Sequence, residues 1–420
     1  MLIKQRIKEF EKLGFGMFVH FGLYSMLGLG EWAKLQHKIP DKEYEMLAQS
    51  FSPEDDWADK LVETAKTAGC KYITLTTRHH DGFSLFDTKG LSNYDSVHSL
   101  CRRDLVKEFV DACIKKDIIP FFYHTLIDWH EKSFKSDFKS YLKYLRDSVE
   151  ILCRNYGEIG GIWFDGQWDK PDADWEEDAL YNLIRQYQPN AMIINNTGMS
   201  KRGELGHIEL DSVTFERGKP QPINLKGSPK YVASEMCEVF NDHWGYAKDD
   251  LNYKSPAEII CEFAECRRFG SNFLLNVGPM GNGYLRPIDS AYFGVLGEWV
   301  TYFNEALYLP RPSSIEIINK TKDFILKHKN CYYLFCFNLQ MAGDKNVALK
   351  LKENERYEDI FDINERIESV IWLDDGTSVS FAQNGSSTRI FTEPFKYGRN
   401  LVVRVAKISV KNLRVGEKYQ

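Results

Sequence analysis

The sequence predicts an α/β protein: a (β/α)8 TIM-like barrel over residues 1–310, followed by an antiparallel β-sandwich over residues 311–420. Three observations carry this expectation. From residue 14 to about residue 305, short apolar strands alternate with amphipathic helices. Eight such strands can be placed in that span, which suits a closed barrel better than an open sheet. After Pro310-Arg311-Pro312 the chain turns to short alternating runs broken by turn residues, as antiparallel sheets do.

The expected strands are 14–21, 72–78, 118–124, 160–165, 191–196, 212–217, 231–236 and 272–277. Several carry little alternation, as parallel strands covered on both faces should. Between the first two, Ser52 is expected to cap a helix with Pro53 at its first position. Trp57, Leu61, Ala65 and Ala68 then form one apolar stripe, and Gly69 stops it. Leu105, Phe109 and Ala112-Cys113 repeat the stripe before the third strand. Further helices are expected over 137–155, 174–188, 256–268 and 288–304. The stretch 197–230 offers Gly, Pro and Lys but no helical period, so an irregular barrel is expected around strands six and seven. In the second domain, 331–337 and 401–405 read as strands, and Asp374-Asp375-Gly376 and Asn384-Gly385 as turns.

Composition narrows the function. A length of 420 residues favours one large and one small domain. Aromatic residues make up 14% of the chain, and rings suit sugars, whose C–H faces stack on them, though cores use the same residues. A net charge of −6 speaks against a polyanionic partner, so no nucleic acid is expected. No run of about 18 apolar residues predicts a membrane span. The basic N-terminus lacks a following apolar segment, so no secretory signal is expected. The nine cysteines are odd in number and none has CxxC spacing, which points to free thiols and a cytoplasmic location. A homo-oligomer is left open.

Chemistry concentrates at the strand ends. Asp165 closes the apolar run Gly161-Ile162-Trp163-Phe164 and is followed by Gly166. Asp-Gly is also ordinary turn chemistry, so the segment alone does not decide for catalysis. The other ends add His20, then Glu31-Trp32; His79-His80-Asp81; Tyr123-His124, then Asp128; Glu216; and Glu235, then His243-Trp244. In a barrel these would converge on one cleft.

Two chemistries could use the set. Asp165 and Glu216 could form the carboxylate pair of a glycoside hydrolase, one ionised and one protonated, with His20, His79 and His80 bonding sugar hydroxyls. Alternatively, the three histidines with Asp81 or Asp165 could hold a metal for hydrolysis. Adjacent His79-His80 should point to opposite faces of an intact strand, and no HxH or HExxH spacing is present. No metal and no cofactor are therefore expected. A sugar-binding barrel without catalysis is a third reading. The Gly-rich stretch 276–283 lacks the Lys-Ser/Thr of a P-loop and reads as a tight turn.

The motifs resemble the retaining α-L-fucosidases of glycoside hydrolase family twenty-nine. The matching strings are 15–22, Gly30-Glu31-Trp32, 71–83 with its His79-His80-Asp81-Gly82-Phe83, Trp163-Phe164-Asp165-Gly166, Trp244-Gly245-Tyr246 and 270–279. They run in family order over roughly residues 10–310. The resemblance implies an exo-acting enzyme that removes terminal α-L-fucosyl groups from oligosaccharides or glycoconjugates through a covalent fucosyl-enzyme. It implies Asp165 as nucleophile and Glu216 as acid/base, with Glu235 at a second acidic position that also matches. His20, Glu31, Trp32, His79 and His80 match positions that hold fucose hydroxyls. Phe18, Trp163 and Trp244 match the apolar wall for the C5 methyl, where a hydroxymethyl would leave an unpaired hydroxyl. His124, where many members have a second Tyr, is placed in the same sugar-binding set. Asn195-Asn196-Thr197 stands where many members have Asn-Asp-Arg. Both departures imply an altered hydroxyl-binding arrangement, with a preference for branched oligosaccharides.

Overall fold

The computed structural model describes residues 3–197, 205–222, 230–315, 317–318, 322–341, 346, 358–360 and 362–411. Parts of the stretches 197–230 and 313–410 thus lie outside the described residues. The chain divides into two compact units, Met1–Lys254 with Ser271–Val295, and Ser255–Gly270 with Leu296–Gln420.

In the first unit eight parallel strands close into a barrel in chain order. They are β1 (Phe15–Val19), β2 (Tyr72–Arg78), β3 (Ile119–Thr125), β4 (Gly161–Asp165), β5 (Met192–Asn195), β6 (Ser212–Glu216), β7 (Ala233–Val239) and β8 (Asn272–Val277). β1, β5 and β8 are buried along their whole length, which is why they read as apolar runs. Among the described residues, β5 and β6 meet in the single register pair Ile194↔Ser212, at the link that opens the stretch 197–230.

The inside of the barrel is filled from the end where the strands begin. The helix Gln5–Leu13 sends Ile7 and Phe10 into a cluster with Tyr72, Phe121, Met192 and Leu274. The rings of Tyr72 and Phe121 fit because Gly16 and Gly161 stand beside them; a Cβ at either glycine would overlap the neighbouring ring. Arg6 ties this helix to the barrel with two 2.8 Å bonds to the buried Asp211, just ahead of β6. Apolar packing therefore occupies the strand starts and leaves the strand ends for chemistry.

Outer helices follow the expected stripes: Trp57–Thr67, Leu105–Lys115, Phe138–Asn155 and Glu177–Tyr187. Ser52 does not cap the first of these, contrary to expectation. Long-range bonds hold 52–55 as a loop, with Glu54 N–H donating to the Asn282 carbonyl and Arg103 to the Pro53 carbonyl, so the helix starts a turn later. Asp104 caps the second helix by accepting from Lys107 N–H at 2.9 Å.

The second unit holds two antiparallel sheets that share one core. The larger has the order β13 (Arg366–Trp372), β16 (Val403–Lys411), β11 (Cys331–Phe337), β10 (Phe324–His328), β9 (Arg311–Pro312). The smaller has the order β12 (Glu358–Ile360), β15 (Ser387–Ile390), β14 (Phe381–Asn384). Leu334, Trp372 and Ile408 of the first pack with Ile360 and Ile390 of the second. Gly385, at φ 60°, makes the tight turn between β14 and β15. Among the described residues no helix is long and apolar enough to cross a membrane.

Candidate active site

A cleft of about 130 Å3 opens where the strands end, and Asp165 lies in its floor. Asp165 is the last residue of β4, so alternation points it inward with Trp163, while Ile162 and Phe164 face the helices. Gly166, at φ 109°, then turns the chain away. Four donors surround the carboxylate. Oδ2 accepts from the Tyr123 hydroxyl at 3.1 Å and lies 3.5 Å from His80 Nε2. Oδ1 accepts from Trp168 Nε1 at 3.1 Å and Asn196 Nδ2 at 3.3 Å. Burial alone would raise its pKa, but the bonds from His80, Trp168 and Tyr123 outweigh that and hold it below the ordinary carboxylate value. The group is anionic at neutral pH and its side chain keeps 15% exposure.

Glu216 ends β6 and faces the same cleft. Its Oε2 accepts from Asn196 Nδ2 at 2.5 Å. One nitrogen thus touches both acids, at 2.5 Å and 3.3 Å, so these two oxygens are no more than about 5.8 Å apart, the sum of the two distances.

Around them the histidines are set by their neighbours. β2 ends at Arg78 after a register shift, so strand alternation no longer applies and both His79 and His80 line the cleft, their ring centroids 4.2 Å apart. His80 Nδ1 bonds Thr125 Oγ1 at 2.7 Å. His20 Nδ1 lies 2.6 Å from Asn276 Oδ1, and Asn276 Nδ2 donates to the Trp244 carbonyl at 2.7 Å. That fixes the Asn276 oxygen toward the ring, so His20 carries its proton on Nδ1 and leaves Nε2 as an acceptor. Burial lowers the His20 pKa to about 3 and holds His79 well below its ordinary value, so both rings are neutral. Among the described residues no group of three or more His, Cys, Asp or Glu side chains is placed to hold a metal ion. Phe18, Trp163 and Trp244 form an apolar wall, with Phe18 5.2 Å from Trp163 and 6.0 Å from Trp244 by ring centroids.

The family described as Alpha-L-fucosidase matches residues 3–305. The chain belongs to that family. It is a glycoside hydrolase of the α-L-fucosidase type. The chain is 28% identical over 342 residues to the tissue α-L-fucosidase of Bos taurus, covering 73% of this chain and 70% of that protein. It is 28% identical over 337 residues to the human tissue enzyme, with the same coverages. Among solved structures, α-L-fucosidase isoenzyme 1 from Paenibacillus thiaminolyticus superposes with a TM-score of 0.80 at 27% identity, covering 97% of this chain and 99% of that one. A Bacteroides thetaiotaomicron fucosidase, trapped as a covalent intermediate with 2-fluoro-fucosyl fluoride, shares the fold at 22% identity and a TM-score of 0.79, covering 98% of this chain and 97% of that one.

Two of the residues expected at the fucosidase cleft lie behind it instead. His124 is fully buried on the helix side of β3, bonded to Thr77 Oγ1 at 3.0 Å, Arg78 at 2.9 Å and Ser148 Oγ at 3.0 Å. The register pairs it with Phe164, which faces outward, whereas Tyr123 pairs with the inward Trp163. Strand alternation therefore selects Tyr123 for the cleft and corrects the placement of His124. Glu235 lies beneath the floor, accepting from Trp163 Nε1 at 3.0 Å and from the Tyr72 hydroxyl. Burial pushes its pKa to about 7, against the opposing effect of those two bonds. Glu31, also expected there, is 6% exposed, and its Oε2 accepts from the backbone N–H groups of Trp244 at 3.2 Å and Gly245 at 2.7 Å, which braces the Trp244 segment. His20, Trp32, His79, His80, Phe18, Trp163, Trp244, Asp165 and Glu216 line the cleft.

Tyr123, a strand-end group to which the sequence assigns no role, lines it as well, as does Asn196, which the sequence marks only as a departure from the family pattern. Sequence reasoning missed Trp168 and Cys237. Trp168 carries a signal, three residues past Asp165; Cys237 carries none until strand register is known.

Proposed function

We propose that the chain is an exo-acting retaining α-L-fucosidase, with Asp165 as nucleophile and Glu216 as general acid/base. The separation of the two acids carries this reading. Retaining glycosidases hold their carboxyls roughly 5–5.5 Å apart and inverting ones roughly 6.5–9.5 Å. A bound of about 5.8 Å between the facing oxygens fits the closer, retaining spacing.

In the first half-reaction an Asp165 oxygen bonds the sugar's C1 as the C1–O bond breaks, and Glu216 gives its proton to the departing oxygen. In the second, Glu216 takes a proton from water, the water oxygen bonds C1, and Asp165 leaves as carboxylate. Neutral His20 offers Nε2 to a sugar hydroxyl, and the wall of Phe18, Trp163 and Trp244 offers the C5 methyl a dry surface. The small volume of the cleft, about 130 Å3, supports removal of single terminal residues from fucosylated oligosaccharides. All nine cysteines are free, which supports a reducing cytoplasmic location.

Incubation with a 2-fluoro-fucosyl fluoride and peptide mass spectrometry should find the label on Asp165; a label elsewhere refutes the assignment. Glu216→Ala should slow substrates with poor sugar leaving groups roughly 10²–10⁴-fold. Activated aryl fucosides, which need little protonation, should lose far less. Equal losses on both would remove Glu216 from the acid/base role.

A further inference from the structure

We infer that Asn196 is a positioning residue that couples the two catalytic carboxylates, its one amide nitrogen donating a hydrogen to Asp165 and the other to Glu216. The inference rests on the roles proposed above for those two acids. Asn196 directly follows β5, and its backbone N–H donates to the Phe164 carbonyl at 2.8 Å, which fixes it against the strand that carries Asp165. Its side-chain Nδ2 lies 2.5 Å from Glu216 Oε2 and 3.3 Å from Asp165 Oδ1. Its Oδ1 accepts from the Thr214 hydroxyl at 3.0 Å, and Thr214 stands two residues before Glu216 on the same face of β6. The residue is 3% exposed, so water does not stand in for these partners.

The network sets which way the amide faces. Reversed, it would aim its oxygen at two acids, one of them anionic throughout the resting state, and lose the hydroxyl bond that holds it. An aspartate here would have nearly the same shape but would bring a third negative charge and no hydrogen to give. An alanine would give neither acid a donor.

The value of a shared donor follows from the charge flow of a two-step displacement. At rest Asp165 is anionic and Glu216 carries the proton. Once the glycosyl bond has moved, Asp165 is a neutral ester and Glu216 is the anion. The negative charge has crossed from one oxygen facing the amide to the other. Asn196 has an N–H toward each, so it serves both half-reactions without moving, the condition for low reorganisation in a desolvated site. Other groups also face the pair among the described residues: His20 beyond β1, His80 beyond β2, Tyr123 on β3, Trp168 beyond β4 and Cys237 on β7. The charge balance they set is common to all variants below.

The test reads the two acids directly. In protein labelled with 13C at Asp and Glu carboxyls, the Asp165 and Glu216 signals are assigned by their loss in Asp165→Asn and Glu216→Gln, then titrated. In Asn196→Ala both midpoints should move upward, by roughly half a pH unit or more, because each acid loses a donor to its ionised form. Movement of only one midpoint, or of neither, overturns the coupling. Asn196→Asp should move both further in the same direction. Thr214→Val, which frees the amide, carries the same test should Asn196→Ala fail to fold, and Thr214→Ser should bring the midpoints back. In kinetics, Asn196→Ala should slow both formation and breakdown of the covalent intermediate roughly 10-fold or more. A residue with a merely structural role would lower activity and leave the midpoints in place. Absence of fucoside turnover by the unaltered enzyme would sink the proposed function, yet the titration would still decide whether Asn196 joins the two acids.

Discussion

Replacing Glu235 with glutamine should make the protein more stable, and by an amount that grows with pH. Glu235 is 1% exposed in the barrel interior, where burial raises its pKa from 4.5 to about 7. The sign follows from linkage. Its folded pKa lies above the unfolded one, so above about pH 4.5 the unfolded chain gains by ionising a group that the fold keeps protonated. The resulting penalty is absent below that pH, grows up to about pH 7, and is constant beyond. With these two pKa values it amounts to about 1 kcal/mol at pH 5 and about 3 kcal/mol at pH 8. Glutamine escapes it. Its oxygen can still accept from Trp163 Nε1, and its amide can donate to a Tyr72 hydroxyl turned to accept. Urea unfolding of both proteins at pH 5 and pH 8 would read the difference as a gap in ΔG that widens by about 2 kcal/mol. A gap that is constant with pH, or that favours the glutamate at pH 8, would refute the reasoning. The same variant separates the two acids kinetically. Glu235 bonds Tyr72 and Trp163 under the floor and does not line the cleft, so Glu235→Gln should not show the selective loss on poor leaving groups expected of Glu216→Ala.

Two further perturbations address the nucleophile and the histidine turn. Tyr123→Phe removes the 3.1 Å bond to Asp165, whose pKa should rise, so the acidic limb of the kcat/KM profile should move to higher pH and the plateau should fall roughly 10-fold; an unmoved limb counts against the bond. Gly82, at φ 82°, turns the chain just after His80, and a Cβ there would overlap the Asp128 carboxylate. Gly82→Ala should therefore cost roughly 2–3 kcal/mol in denaturant unfolding and displace both histidines from the cleft; wild-type stability would show that the turn relaxes freely.

Much of the fold was legible because local sequence and global architecture agree. The helices expected over 137–155, 256–268 and 288–304 appear as Phe138–Asn155, Pro256–Arg268 and Pro287–Leu307. The helix at 256–268 carries its own start signal, a Ser255–Glu258 capping box with proline at the first position. Ser52 shows the limit. A cap residue and a proline wrote a helix start that Asn282 and Arg103, distant in sequence, overrode. His124 shows another. Its chemistry invited a role at the cleft, but only register assigns a strand residue to one face, and a shift of one position reverses the answer.

Sequence alone determined the order of strands and helices, the acid that closes β4 and the histidine pair, because each is written in a few contiguous residues whose period or composition is informative; the aromatic wall followed only from the family resemblance. What the three-dimensional fold decided is which polar groups meet. Asn196, Thr214, Glu216 and Asp165 come from three strands and touch only when the barrel closes. Glu235, equal to Glu216 as a strand-borne acid on paper, is set beneath Trp163 because it is the third residue of β7, four short of its end, where the barrel is packed and dry, while Glu216 ends its strand at the cleft. Burial and hydrogen bonding depend on distance in space, and distance in space is fixed by closure of the sheet rather than by any local stretch of chain.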